Sequence, residues 1–223
     1  MNPQHHLPAD IERTSLSIIT AELDELGLTP PPENAAVVKR VIHTTADFDY
    51  AKNLRFTAGA VAAGIAALRS GTPIVTDTNM ALAGITKPGL AKLGGSALCY
   101  MADPEVARIA KETGTTRAVA SMHRAAAEHP DAILAVGNAP TALLTIADEI
   151  EAGLRPALVI GVPVGFVNVV ESKERLFSVC ETHSVPCIAA MGRKGGSTIA
   201  AAICNALVYS AAEMLDPTAR GWK

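Results

Sequence analysis

Five short apolar segments alternate with longer helical segments over residues 72–191, and this alternation limits the fold more than any other feature. The segments are TPIVTD, SALCYM, AILAVG, PALVIGV and VPCIAAM. They contain β-branched and small apolar residues without the polar alternation of half-exposed strands. Such runs are typical of strands buried on both faces of a parallel sheet. The sequence therefore predicts an α/β fold with a doubly wound parallel sheet of about five strands.

The first part of the chain is predicted to add helices before this sheet. The stretch ADIERTSLSIITAELDELG ends at a natural stop, Gly27. As a helix it brings five side chains near one face: Ile11, Ser15, Ile18, Ile19 and Glu22. The prolines of TPPPEN favour a second helix, on which Arg40 and His43 share a face. The run VVKRVI alone is also compatible with a strand. No internal repeat or low-complexity linker interrupts residues 1–223, which indicates a single domain.

Composition and charge exclude several classes of protein. A chain of 223 residues with 49% hydrophobic residues can bury a core without disulfides or metal. The net charge of −3 argues against nucleic-acid binding. The most apolar stretch, 157–170, is too short to span a membrane and is broken by glycine and proline. The N-terminus lacks the pattern of a signal peptide, so a cytoplasmic location is expected. The four cysteines show no metal-ligand spacing and are predicted to be free, buried thiols.

Each predicted strand is followed by a loop that leads into a helix. These loops, including GNAPTA, GVPVGF and GRKGGST, are rich in glycine, which allows a ligand to approach the backbone closely. Open parallel sheets bind ligands along the edge formed by the carboxyl ends of their strands. The amides at helix starts also favour anions. The sequence therefore predicts a groove for a large carboxylated or phosphorylated ligand.

Four cations lie in or beside these loops: Lys87, Arg117, Arg193 and Lys194. Arg40 precedes His43 by one helical turn. Arginine in such places suits bidentate capture of a carboxylate or phosphate. Charged residues are also common in exposed loops that bind nothing. For any single one of these cations, the two interpretations are about equally good. Four cations at one edge favour binding.

Other motifs give weaker signals. GRKGGST lacks the G-K-[ST] ending of a phosphate-binding Walker loop, and no G-x-G-x-x-G follows an early strand. A lone histidine on a helix, such as His43, is more often structural than catalytic. Four other histidines and two acids near the motifs are predicted to be surface, mobile-terminus or capping residues: His5, His6, His123, His129, Asp47 and Asp49.

Several long segments in order resemble one family, the precorrin-8X and cobalt-precorrin-8 methylmutases of corrin (vitamin B12) biosynthesis. The resemblance runs from about Ile11 to Tyr209. It rests on RVIHTTADFDYAKNL, GTPIVTDTNMALAGI, GNAPTALL, IGVPVGFVNVVESKE, GRKGGS and AAICNALVY. The segments TADFDYAKNL and TDTNMALAGI resemble the cobalt-dependent branch of the family more than the oxygen-dependent branch.

The resemblance implies an isomerase that moves a methyl group from C-11 to C-12 of cobalt-precorrin-8 to give cobyrinate. The metal-free reaction of precorrin-8X to hydrogenobyrinate, and a corrinoid carrier without turnover, are the alternatives. A flavodoxin-like flavin or nucleotide protein is a third class. The family implies no cofactor or protein-bound metal, because any cobalt arrives inside the tetrapyrrole. It also implies a three-layer α/β/α, flavodoxin-like fold and a homodimer with active sites near the subunit contact.

The resemblance assigns roles to individual residues. His43 matches the catalytic histidine, which would lend a proton to the macrocycle and so make its π-system electron-poor. Arg40 would disfavour the imidazolium and substrate carboxylates would favour it, which leaves the sign of the net effect open. HTTA replaces the H-A-C-G of some relatives, and Met191 stands where many have an arginine. The other matched positions are substrate-contacting or line the site: Ser15, Arg40, Thr86, Lys87, Arg117 and Arg193.

Overall fold

A computed structural model describes residues 7–222, so the predictions for His5 and His6 fall outside the described residues. Within that range the helices are α1 Pro8–Glu25, α2 Ala35–Thr45, α3 Tyr50–Asn53, α4 Ala60–Arg69, α5 Asn79–Gly84, α6 Lys87–Lys92, α7 Pro104–Glu112, α8 Arg117–Glu128, α9 Pro140–Glu151, α10 Val169–Thr182 and α11 Ser197–Ala211. The strands are β1 Leu54–Phe56, β2 Ile74–Thr76, β3 Ala97–Leu98, β4 Ile133–Val136, β5 Leu158–Gly161 and β6 Cys187–Ala190. A 3₁₀ turn, Pro217–Arg220, follows α11.

The sheet has six strands in the order β1-β6-β5-β4-β2-β3. All five predicted strands are present, and they pair in parallel. The estimate of about five strands missed β1, which pairs antiparallel with β6 and places Leu54 opposite Ala190. This strand has only three residues, of which one is buried, so it lacks the continuous apolar run that identified the others.

Helices cover both faces of the sheet, as the apolar runs of the strands predict. In β4, Ile133 and Ala135 join the core formed with α2, α4 and α11. Leu134 and Val136 join the core formed with α8, α9 and α10. Because successive strand residues point to opposite faces, both sets of side chains are removed from water.

Helix α1 begins and ends where the sequence predicts, close to Gly27 at φ +65°. The predicted face is not fully buried, however, since Ile11 and Ile18 are 50% and 53% exposed. The C-terminal turn packs against this helix through an ion pair between Arg13 and Asp216 at 2.8 Å. Helix α1 thus leaves apolar side chains beside an open cavity, described below.

Among residues 7–222, no helix is long and apolar enough to cross a membrane. No group of three or more histidine, cysteine or acidic side chains in that range is arranged to hold a metal ion. The cysteines are unbonded thiols, and Cys180, Cys187 and Cys204 are buried while Cys99 is half-buried.

Candidate active site

A buried carboxylate joins two loops at the carboxyl edge of the sheet. Asp77 directly follows β2 and is 1% exposed. It accepts hydrogen bonds of 2.8 Å from the backbone N–H groups of Gly137, Asn138 and Ala139, which follow β4. Burial raises the pKa of this carboxyl, and the three N–H groups oppose that rise. Asp77 therefore fixes the loops after β2 and β4 relative to each other.

A buried lysine fixes the loop after β6. The Nζ atom of Lys173, on α10, donates to the carbonyl oxygens of Gly192 and Lys194 at 2.8 and 2.9 Å. Burial lowers the pKa of Lys173 to about 8. In the same loop, a Cβ on Gly195 would lie 2.2 Å from the carbonyl oxygen of Val162, so only glycine fits.

Stability is expected to depend on pH through Lys173. Its folded-state pKa, about 8, lies below the ordinary lysine value of 10.5, so the penalty for burying the cation disappears as pH rises between these values. The wild type should gain up to about 3 kcal/mol relative to Lys173→Met, which cannot titrate, between pH 7.5 and 10.5. Urea unfolding of both proteins at these pH values measures the gain. A constant difference between the two curves would contradict the assignment.

The loop after β6 also contacts the segment that follows His43. Lys194 Nζ lies 2.6 Å from carboxylate oxygens of both Asp47 and Asp49. Asp47 also accepts a hydrogen bond from the backbone N–H of Asp49 at 3.0 Å. These contacts place the end of α2 beside the carboxyl edge of the sheet. Lys194 is thus engaged by two of the chain's own carboxylates.

His43 lies in the last turn of α2 with one ring nitrogen engaged. Its Nδ1 atom is 2.8 Å from Ser15 Oγ, and Nε2 has no hydrogen-bond partner among the described residues. Burial lowers the pKa of His43, Arg40 and Arg220 lower it further, and Glu12 opposes them. Without substrate carboxylates, the surroundings of His43 therefore favour the neutral imidazole over the imidazolium.

Two cavities meet at His43. The first, here called the apolar cavity, has a volume of about 360 Å³. Its wall consists mainly of the predicted face of α1 together with residues of α2 and the segment after it: Ile11, Thr14, Ser15, Ile18, Ile19, Glu22, Ile42, His43, Ala46 and Phe48. This wall suits the flat face of an apolar ring system, with the imidazole as a polar group at its margin.

The second cavity, here called the arginine cavity, has a volume of about 310 Å³ and shares Ile11 and His43 with the first. Glu12 Oε1 accepts hydrogen bonds from Arg40 at 2.7 Å and from Arg220 at 2.6 Å. Both guanidinium groups also stack over the Tyr209 ring, at 5.3 and 4.5 Å from its centroid. One side of His43 is therefore apolar and the other is cationic.

The structure brings Ser15, Arg40 and His43 together, but the other predicted site residues lie elsewhere. Thr86 caps α6 by accepting from the N–H of Gly89, and Lys87 is the first residue of that helix. Neither residue lines a cavity at His43.

Arg117 and Arg193 also lie apart from His43. Arg117 begins α8, and the neighbouring Thr116 hydroxyl is 3.4 Å from that of Thr141 at the start of α9. The Arg193 guanidinium stacks over the Phe166 ring at 5.4 Å. Both arginines accordingly remain near loops of the carboxyl edge, where the sequence predicts them.

Several residues at the site escaped the sequence-based prediction. Glu12 precedes Ser15 by three positions and could have been placed on the same helix face. Tyr209 ends the AAICNALVY segment that carries part of the resemblance. Arg220 has no local sequence signal, because only the packing of the C-terminal turn on α1 brings it to Glu12.

A larger groove of about 660 Å³ lies between α7 and α8. Its wall includes Ile109, Val119 and His123, and the last of these pairs with Glu149 at 2.6 Å. His123 is 56% exposed, which confirms its predicted surface position. The groove contains none of the predicted site residues, so size alone does not identify the functional site.

Comparisons with known proteins point to one family. The family profile described as precorrin-8X methylmutase matches residues 10–210. The chain is 47% identical to a cobalt-precorrin-8 methylmutase from Salmonella typhimurium, over 91% of this chain and 95% of that protein. It is 38% identical to a precorrin-8X methylmutase from Pseudomonas aeruginosa, with 88% and 93% covered. The crystal structure of precorrin-8x methyl mutase from Thermus thermophilus superposes with a TM-score of 0.81 at 41% identity, with 92% and 96% covered.

Proposed function

The chain belongs to the precorrin-8X methylmutase family, and from this premise we propose that it converts cobalt-precorrin-8 into cobyrinate by moving a methyl group from C-11 to C-12. The Salmonella relative is named a cobalt-precorrin-8 methylmutase, which supports the cobalt-containing substrate. The observation that carries the proposal is the position of His43, whose unpartnered Nε2 lies where an apolar cavity and a cationic cavity meet. The metal-free reaction on precorrin-8X is the second candidate, favoured by relatives that carry that name.

In the proposed mechanism, His43 acts as a general acid through Nε2. The protonated imidazole carries a proton on each ring nitrogen, so Nδ1–H donates to Ser15 Oγ at 2.8 Å while Nε2–H is directed at a nitrogen of the macrocycle. Donation of this proton withdraws electron density from the conjugated system and weakens the bond to the migrating methyl group. No group on the protein is consumed, because the proton returns to His43 when the product forms.

Charge makes this acid responsive to the substrate. In the unliganded chain, burial and two arginines hold the pKa of His43 below its ordinary value. The substrate brings carboxylates to these arginines, and added negative charge favours the protonated imidazole. We propose that binding therefore raises the pKa of His43 at the moment when its proton is required.

The remaining predicted residues are proposed to contact the periphery of the substrate. Arg40 would bind a carboxylate next to His43, and four residues nearer the carboxyl edge would contact others: Thr86, Lys87, Arg117 and Arg193. Arginine and lysine suit carboxylates, and the Thr86 hydroxyl supplies a further polar contact. Met191 is half-buried beside the loop after β6 and offers no charge there.

We also propose the finer features of fold and assembly that the family implies. The five parallel strands run in the order 2-1-3-4-5 when numbered among themselves, which supports a three-layer, flavodoxin-like single domain. A homodimer is supported by exposed apolar side chains near both cavities and at the carboxyl edge, including Ile18 at 53% and Phe166 at 83%. A cytoplasmic location fits the free thiols.

The function is tested by supplying cobalt-precorrin-8 and metal-free precorrin-8X separately, in large excess over the protein. We expect the visible spectrum of the cobalt substrate to change completely to that of cobyrinate over many turnovers. A carrier would instead change the spectrum of one equivalent only. Faster conversion of the metal-free substrate would favour the second candidate, and conversion of neither would refute the proposal.

Replacing Ser15 by alanine is expected to lower kcat about tenfold, because the ring of His43 loses the hydrogen bond that orients it. Product affinity should change less than about twofold, and Ser15→Thr should restore much of the rate. The control is Ser17→Ala on the same helix, where the hydroxyl donates only to the backbone of Arg13. A loss of affinity without a loss of kcat would instead make Ser15 a substrate-binding residue.

A further inference from the structure

The arginine cavity contains more positive than negative charge. Glu12 is the only carboxylate in the described part of the chain that pairs with Arg40 or Arg220, and both use its Oε1 atom. The three side chains are strongly buried, with exposures of 4%, 12% and 5%. One carboxylate balances one guanidinium, so a net positive charge remains where little water can reach it. Buried charges of this kind are normally paired.

Arg220 also retains unused hydrogen-bonding capacity. Its Nε atom is buried and has no acceptor among residues 7–222. The central carbon of its guanidinium group lies over two aromatic rings, 4.5 Å from the Tyr209 centroid and 4.8 Å from that of Trp222. These contacts restrict the movement of the group, and its planar fork suits a ligand with two oxygens.

The position of Arg220 depends on the C-terminal turn. Pro217 is buried, and Asp216 pairs with Arg13 on α1 at 2.8 Å. The family profile ends at residue 210, so the match itself assigns nothing to this turn. The turn thus adds a wall, and a cation, to a cavity that includes His43.

We infer that Arg220, together with Arg40, binds one carboxylate side chain of the corrinoid substrate in the arginine cavity, directly beside His43. This inference rests on the proposed function and adds a specificity-determining residue to it. The incoming carboxylate supplies the second negative charge that the two guanidinium groups lack. It also fixes the position of the macrocycle relative to Nε2 of His43, since the two cavities share that residue.

A purely structural role for Arg220 explains less. Arg40 alone pairs with Glu12 at 2.7 Å, so Arg220 is not required to neutralise that carboxylate. Removal of Arg220 would leave a balanced Glu12–Arg40 pair. We therefore expect Arg220→Gln to leave the urea unfolding midpoint unchanged or raised, whereas a structural ion pair predicts a lower midpoint.

The experiment measures the affinity of four proteins for cobyrinate by isothermal titration calorimetry: wild type, Arg220→Gln, Arg220→Lys and Arg108→Gln. We expect Arg220→Gln to bind about 10- to 100-fold more weakly, which is the range for one hydrogen-bonded charge pair. Arg220→Lys keeps a charge for Glu12 but loses the planar fork, so a loss of about threefold to tenfold is expected. Arg108→Gln removes an exposed cation of α7, which pairs only with Glu105 and Glu112 among the described residues, and should change affinity less than about twofold.

A second ligand separates carboxylate recognition from general damage. For a corrinoid whose carboxylates are converted to amides, wild type and both Arg220 variants should bind within about twofold of one another. Equal losses for acid and amide, or cobyrinate affinity unchanged in both Arg220 variants, would overturn the inference. If Arg220→Gln fails to fold, Arg220→Lys supplies the same comparison.

Turnover of cobalt-precorrin-8 by the wild type is followed in parallel. If the wild type turns over normally and the Arg220 variants bind cobyrinate as tightly as the wild type, the inference about Arg220 is refuted and the proposed function stands. If Arg220→Gln binds cobyrinate more weakly but the wild type does not turn over cobalt-precorrin-8, the carboxylate-binding role of Arg220 is supported and the proposed enzymatic function is refuted. A wild type that neither binds cobyrinate nor turns over overturns both.

Discussion

Replacing His43 by alanine is expected to lower the rate of methyl migration at least 10²- to 10⁴-fold, the range that a positioned general acid supplies. Nε2 of His43 is the unpartnered ring nitrogen at the meeting point of the two cavities. Nearby cations do not replace it, because arginine does not release its proton near neutral pH. Rates are measured from the visible spectrum under single-turnover conditions, so that product release does not mask the chemical step.

The fold and the corrinoid affinity should survive this change. The imidazole is half-buried and makes one hydrogen bond to a side chain, so its loss is expected to cost about 1 kcal/mol of unfolding free energy. The matched control is His123→Ala, which removes a surface imidazole paired with Glu149 and should leave the rate unchanged. Product formation by His43→Ala at the wild-type rate would refute the catalytic assignment.

The parts of the fold that sequence predicts are those with a strong local pattern. The strands around Ile133 and Leu158 are fully buried, and their unbroken apolar runs reveal this directly. Strand β1 carries Arg55 in the middle of three residues and gains its partners only from β6, at the edge of the sheet. Its pairing is a tertiary property that short-range periodicity does not encode.

The same distinction applies to the site. Arg40 and His43 share a helix face, so their proximity follows from helical spacing. The contact between Ser15 and His43 spans 28 positions, and that between Glu12 and Arg220 spans 208. The resemblance names Ser15 and His43 as site residues but does not predict the contact between them. It names neither Glu12 nor Arg220, and Arg220 lies beyond the matched segment.

Helix α1 does not bury all of the apolar side chains on its predicted face. Its apolar positions were predicted to share one face, and they do, but Ile11 and Ile18 remain half-exposed beside the apolar cavity. A helix that only completed the core would bury these side chains, at a gain of about 1.5–3 kcal/mol each. Their exposure is consistent with a surface that a flat ligand or a second subunit covers.

Asp77 is expected to have the largest effect on stability of the residues at the carboxyl edge. Its carboxylate accepts three backbone N–H groups, and no other acceptor among the described residues is bonded to them. Asp77→Asn preserves the volume but replaces one accepting oxygen by an NH₂ group that faces N–H donors. Unsatisfied buried donors cost about 1–3 kcal/mol each, and the relief of a buried charge offsets part of that cost.

We therefore expect Asp77→Asn to lower the free energy of unfolding by about 3 kcal/mol, and Asp77→Ala by about 3–5 kcal/mol because a cavity is added. Urea denaturation measures both values. The control is Asp103→Asn, where a partly exposed carboxylate caps α7; asparagine caps helices about as well as aspartate, so a clearly smaller loss is expected. Equal losses at positions 77 and 103 would show that the loop after β4 holds its shape without Asp77. Under the proposed arrangement, loss of the Asp77 carboxylate instead frees the loops after β2 and β4 from each other. The sheet edge that faces the substrate then loses its shape before the core unfolds.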